Sequence, residues 1–182
     1  MVVGRRFVSD FEATISDRVV DPQYSFTAEG GGSRAVMVAV EPWRNPGWTA
    51  TFAAPDPGRR ALSMLLETPS RTGLCVVERG TAFLGDVLEP DGFKVVATPG
   101  PVVAAEELVT EGVLLLVTPW AITAVGHAGV PWSTRRIAID GVRVDEASHG
   151  WVRGVADPGD DEPRDFAIDL ASGQAVGGTP TT

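Results

Sequence analysis

Apolar residues recur at every second position along much of this chain. Phe11, Ala13 and Ile15 alternate with Glu12 and Thr14, and Tyr24, Phe26 and Ala28 alternate with Ser25, Thr27 and Glu29. Trp48 to Ala53 repeats the pattern. A period of two puts successive side chains on opposite faces of a strand, so each run predicts a half-buried β-strand. Glycine and proline separate the runs: Asp21-Pro22, Gly30 to Gly32, Pro42 to Gly47 and Pro55 to Gly58 are turn or loop signals. Ala35 to Val40 is nearly continuous in apolar character, which predicts a strand buried on both sides.

One stretch carries enough turn chemistry to predict individual pairs. Arg135 to Val144 reads Arg-Arg-Ile-Ala-Ile-Asp-Gly-Val-Arg-Val, and Asp140-Gly141 suits a two-residue type I′ turn. That turn would set Ile139 opposite Val142 and Ile137 opposite Val144, all on one face. Arg136 against Asp145 and Ala138 against Arg143 would fill the other.

Further strands are expected at Leu74 to Glu78 and Ala82 to Leu88 about Arg79-Gly80. A turn at Glu89 to Gly92 then leads through Phe93 to Ala97, followed by Val102 to Leu108, Trp151 to Val155 and Phe166 to Leu170. Ser172-Gly173 is a tight turn into Ala175-Val176. Residues 177–182 should fray, and His127 to Pro131 reads as a loop. Ala61 to Glu67 is ambiguous, because its residues favour helix while Gly58 and Pro69 confine it to about two turns. A strand is the better assignment there, since a helix that short needs tertiary support.

The strands predict an all-β, single-domain fold over 1–182, an antiparallel two-layer sandwich or barrel built of hairpins. A propeller-like repeat of four-stranded units is the alternative. Gly73-Leu-Cys-Val-Val77 followed by Thr81 to Leu84 is echoed by Gly112 to Val117 followed by Trp120 to Thr123, at an offset of about forty residues. The core is expected to include Ile137, Ile139, Val142, Val144, Phe166, Ile168, Leu170 and Val113 to Val117.

Charge and chemistry narrow the functional classes. A net charge of −9 and a pI near 4.6 disfavour nucleic acid and anionic membrane as partners, since both reward surplus Lys and Arg. The most apolar run, Val113 to Val125, is about thirteen residues long and contains Pro119, too short to span a bilayer. The apolar run at Met1 to Val8 is too short for a secretory leader. Cys75 is the single cysteine, which excludes an intrachain disulfide and fits the cytoplasm.

Catalysis finds little support. No nucleophile elbow occurs, Cys75 sits in an apolar run that would raise its pKa, and His127 and His149 lack metal-ligand spacing. No catalytic residue, metal ligand or cofactor is therefore assigned. The expected function is a non-enzymatic protein-binding module, with an acidic inhibitor or immunity-type protein for a basic partner as the form its charge suggests. Its candidate binding residues are Asp157, Asp160, Asp161 and Glu162 in an acidic loop, and Trp132 and Trp151 near strand starts. Trp43, Trp48 and Trp120 share the choice between core and binding surface. Two other classes compete: a hydrolase or metal-assisted enzyme using His127, His149 and carboxylates, and a carbohydrate-binding sandwich using exposed tryptophans.

Overall fold

The computed structural model describes residues 7–16, 21–32 and 34–179. The leader assessment at Met1 to Val8 therefore lies outside these residues up to Arg6, and so do residues 180–182 of the expected tail. The described chain is all-β, with sixteen strands in four four-stranded sheets and one short 3-10 turn at Pro90–Gly92. No sheet among the described residues closes into a barrel.

The chain, read above as one domain, divides into two compact units, Met1–Ala97 and Thr98–Thr182. In the first, β1 (Phe11–Ile15), β2 (Tyr24–Thr27), β3 (Ala35–Pro42) and β4 (Trp48–Ala53) form a sheet in the order β1-β3-β4-β2. The pairing of β2 with β4 is parallel, and every other pairing in the four sheets is antiparallel. The second sheet is a simple meander of β5 (Met64–Glu67), β6 (Gly73–Glu78), β7 (Thr81–Asp86) and β8 (Lys94–Val95). Strand thus prevails over helix in the ambiguous segment, because Met64 to Glu67 gains a partner strand in Leu74 to Val77.

These two sheets bury their facing sides in one core. Val38, Val40, Ala50 and Phe52 come from the first sheet, and Leu74, Val76 and Phe83 from the second. Phe52 sits at its centre, with the Phe26, Phe83 and Phe93 ring centroids 5.1, 5.3 and 5.5 Å away. Trp48 closes one side: its indole N–H donates to Val87 O at 2.9 Å, tying β4 to the end of the second sheet. β3 departs from the expected two-sided burial, since Val38 and Val40 are buried while Met37 and Ala39 are only half-buried. In this unit β6 is instead buried on both faces, from Gly73 to Val77.

The second unit holds two further meanders. One contains β9 (Ala104–Leu108), β10 (Val113–Val117), β11 (Ile122–Gly126) and β12 (Gly129–Ser133); the other contains β13 (Val142–Ser148), β14 (Trp151–Ala156), β15 (Arg164–Asp169) and β16 (Ala175–Gly177). Leu115, Val117, Ile122 and Ala124 of the first meet Val152, Phe166 and Ile168 of the second in a common core with Ile137. The segments of the forty-residue echo take equivalent places in two of the four sheets. β6 and β10 are the second strands of consecutive meanders, and β7 and β11 the third.

The apolar run Val113 to Val125 forms two strands folded back at Thr118 to Ala121, in line with the two segments of the echo. Two local expectations fail. The loop expected at His127 to Pro131 gives way to β12 from Gly129; Pro131 is tolerated because β12 is an edge strand. The hairpin at Arg135 to Val144 does not form.

In that segment Ile137 donates its N–H to Trp120 O at 2.8 Å, and Gly141 donates to Pro119 O at 2.8 Å. Ile139 and Asp140 donate theirs to the Asp157 carboxylate at 2.9 and 2.6 Å. With these N–H groups engaged elsewhere, no ladder can run from Ile137 to Ile139. Val142 pairs with Ala156 and Val144 with Gly154, while Ile139 is exposed rather than in the core. Arg136 donates to Ala138 O, and Arg143 pairs with Asp145 on its own strand.

Type I′ geometry occurs instead at Arg79-Gly80 and His149-Gly150, where both residues have positive φ and the flanking pairs Glu78 with Thr81 and Ser148 with Trp151 close the ladders. Asp140 has no positive φ. Gly177 ends β16, and the next two residues continue in hydrogen-bonded structure: Gly178 donates to Asp165 O and Thr179 to Ile137 O.

Candidate functional site

The first unit carries an open cleft of about 540 Å³ built from turns. Asp10 precedes β1, Trp43 to Asn45 form the β3–β4 turn, Arg71 and Thr72 form the β5–β6 turn, and Leu88 follows β7. Pro42 and Pro46 bracket the first of these segments and end β3 before β4 begins.

Backbone bonds lock the floor. Trp43 N–H donates to Asp10 O at 3.0 Å, Asp10 N–H to Arg71 O at 2.8 Å, and Val87 N–H to Thr72 O at 2.8 Å. Asp86 joins two walls by accepting from Thr72 Oγ1 at 2.7 Å and from Leu88 N–H at 2.8 Å. On this fixed floor stand two apolar side chains that water reaches: Trp43 is 64% exposed and Leu88 46%.

The ionic groups differ in availability. Arg71 donates through Nε and Nη2 to the same Asp10 carboxylate oxygen, at 3.0 and 2.5 Å. These hydrogen bonds and the Asp10 charge raise the Arg71 pKa, so it stays protonated across the working range. Arg44 makes no ion pair among the described residues. The cleft therefore offers one unengaged cation beside an exposed indole on a chain whose net charge is −9.

The residues singled out in the sequence lie in the second unit. Asp160, Asp161 and Glu162 are exposed in the loop between β14 and β15, and Glu162 contacts Arg164 at 3.3 Å. Asp157 belongs to the same loop but points inward and is buried. Its carboxylate accepts from the Ile139 and Asp140 N–H groups and the Thr179 hydroxyl. Burial works against its charge, yet the Thr179 hydroxyl, those two N–H groups and nearby Arg136 together hold its pKa below the usual carboxylate range. Its charge is spent inside the fold.

Trp132 and Trp151 stand in different sheets. Trp132 packs against the core, covers Gly173 and donates its indole N–H to Leu170 O at 2.8 Å. This repeats across the second unit the latch that Trp48 makes in the first. Trp151 is 37% exposed at the start of β14. Trp120 is half-buried over Gly100, with the Arg136 guanidinium 5.8 Å from its ring centre.

His127 and His149 lie at exposed positions of the β11–β12 and β13–β14 turns. Cys75 is buried in β6, where desolvation pushes its thiol pKa up to about 12. Among the described residues no group of three or more His, Cys, Asp and Glu is placed to hold a metal ion. No helix among them is long and apolar enough to cross a membrane.

Sequence reasoning weighed Trp43 between core and surface but missed the cleft. Its local signal was a tryptophan followed by Arg44 and Asn45 between two prolines, while Asp10, Arg71 and Leu88 arrive from distant turns. Fold and cleft together define an all-β protein of four-stranded units with an aromatic and cationic turn cleft. No protein-family model matches the chain, and no curated protein matches it.

Proposed function

We propose that this protein is a non-enzymatic binding module that captures a protein partner through the cleft at Trp43. The observation that carries this reading is the pairing of highly exposed Trp43 and Leu88 with Arg44 on a backbone-locked floor. Trp and Arg dominate binding energy at protein interfaces, and a floor already ordered loses little entropy when a partner docks. Small-molecule sites usually bury most of their ligand, whereas these rims leave an occupant partly in water, which suits a partner's surface segment. Cys75, held protonated and buried, and two histidines on exposed turns lend no support to a hydrolase. We place the protein in the cytoplasm on its single buried thiol.

A second reading takes a different, basic partner at the acidic loop of the second unit. Asp160, Asp161 and Glu162 are exposed on a loop that Asp157 anchors, so they can steer a cationic protein toward the second unit.

Site-specific photo-crosslinking tests the reading in the source cell. A photoreactive residue in place of Trp43 or Leu88 is expected to give a discrete adduct with one protein. The same residue in place of exposed Val176 should not give it. An adduct equally strong from Val176, or none from either cleft position, would contradict the proposal.

A further inference from the structure

We propose that the cleft is specific for an acidic peptide segment, a stretch of the partner in which a carboxylate sits next to an apolar side chain. The inference rests on the cleft being the partner site and adds which chemistry it selects.

Charge complementarity carries it. Arg44, Arg71 and Asp10 line the cleft with Asp86 bonded into its walls, and of these four charged groups only Arg44 has no partner among the described residues. Asp10 already neutralises Arg71 and fixes its guanidinium, with Nε and Nη2 both directed at one oxygen. Arg44 is left to meet an incoming charge, and it is a planar fork of donors that fits a carboxylate. A basic segment would instead meet Arg44, with the Asp10 carboxylate already taken by Arg71 and the Asp86 carboxylate by Thr72 and the Leu88 N–H.

The apolar half of the specificity comes from Trp43 and Leu88. Both are exposed well beyond what the fold requires, and both line the same cleft as Arg44. Burying them under an aliphatic side chain rewards contact area, while the neighbouring carboxylate on Arg44 sets its register. Asn45 adds an amide able to bond the backbone of an extended segment. A cluster of carboxylates lacking an apolar neighbour would leave Trp43 in water, and an apolar segment lacking charge would leave Arg44 unpaired.

Fluorescence anisotropy with three short labelled peptides provides the test, each holding a central leucine pair flanked by glutamates, glutamines or lysines. The glutamate peptide is expected to bind the full chain about tenfold or more tighter than the glutamine peptide, the range of one charge-assisted contact. The lysine peptide should be weakest. Arg44→Gln should abolish the preference for glutamate, bringing the glutamate and glutamine peptides to similar affinity, and Trp43→Ala should weaken both. Unchanged thermal melts would show that both variants fold.

Equal affinity for the glutamate and glutamine peptides, or a glutamate preference that survives in Arg44→Gln, would overturn the inference while leaving the cleft a partner site. Tighter binding of an oligouronate than of the glutamate peptide would overturn it in favour of an acidic sugar. If no peptide binds, the chemistry proposed here is wrong, and the crosslinking at positions 43 and 88 independently decides whether the cleft binds protein at all.

Discussion

At the scale of single residues, Asp157 shows how one side chain redirects a segment. Its carboxylate receives the N–H groups of Ile139 and Asp140, the two residues that the sequence assigns to a hairpin. Local turn chemistry was legible there, but the competitor lay seventeen residues away and was read as part of a solvated acidic loop. Asp157→Ala is expected to cost on the order of 3 kcal/mol in urea unfolding, because it strands three donors.

The pH dependence follows from the same bonds. Folding holds this carboxyl below its ordinary range, so its stabilisation is fully present above the unfolded value of about 3.9 and is lost as pH falls through the lower folded value. Asp157→Asn should therefore lose less stability than the parent between about pH 6 and the acid limit of folding. Parallel urea titrations across that range check it. Cys75 offers a second residue-scale prediction: with its thiol buried and its pKa near 12, native protein should resist alkylation at mildly alkaline pH. Mass spectrometry should find full labelling only after denaturant is added.

At the scale of elements, alternation was a dependable guide where one face of a strand is buried. Phe11–Ile15, Tyr24–Thr27, Trp48–Ala53 and Arg164–Asp169 form at or near their expected places. The repeat was legible too, because β6 and β10 are both apolar strands at the same position of their meanders. Turn choice was less legible. The dipeptides that make type I′ hairpins are Arg79-Gly80 and His149-Gly150 rather than the favoured Asp140-Gly141. Ladder partners on both sides decided this, since Leu74 to Val77 and Val152 to Val155 have strands to pair with and the Ile137 segment does not.

These turns are testable. Gly150→Ala should destabilise by about 1 kcal/mol or more, because the position has a φ of 78° and alanine resists that conformation. His149→Asn should be neutral or stabilising by a few tenths of a kcal/mol, since asparagine tolerates the left-handed region better. Denaturant midpoints at constant m-value separate the two outcomes.

At the scale of the whole molecule, fold and cleft differ in how the sequence encodes them. The fold is written in local periodicity, which gives one mixed sheet and three antiparallel meanders with turns between. The cleft is assembled from Asp10, Trp43, Arg44, Arg71 and Leu88, and the pair that fixes its floor, Asp10 and Arg71, is sixty-one residues apart. No local pattern marks such a set; only the meander that returns Arg71 beside Asp10 does so. The acidic loop is the reverse case: Asp160, Asp161 and Glu162 were legible as a run, and all three are exposed. Replacing those three with Asn, Asn and Gln should slow association with a basic partner and flatten its salt dependence while leaving dissociation nearly unchanged.

The affinity of the crosslinked partner for Trp43→Ala, measured by titration calorimetry against the parent, tests the central claim most directly. An anchoring tryptophan predicts a loss of about 2 kcal/mol or more, roughly thirtyfold in Kd, with the melting temperature unchanged. Affinity within twofold of the parent would contradict the account.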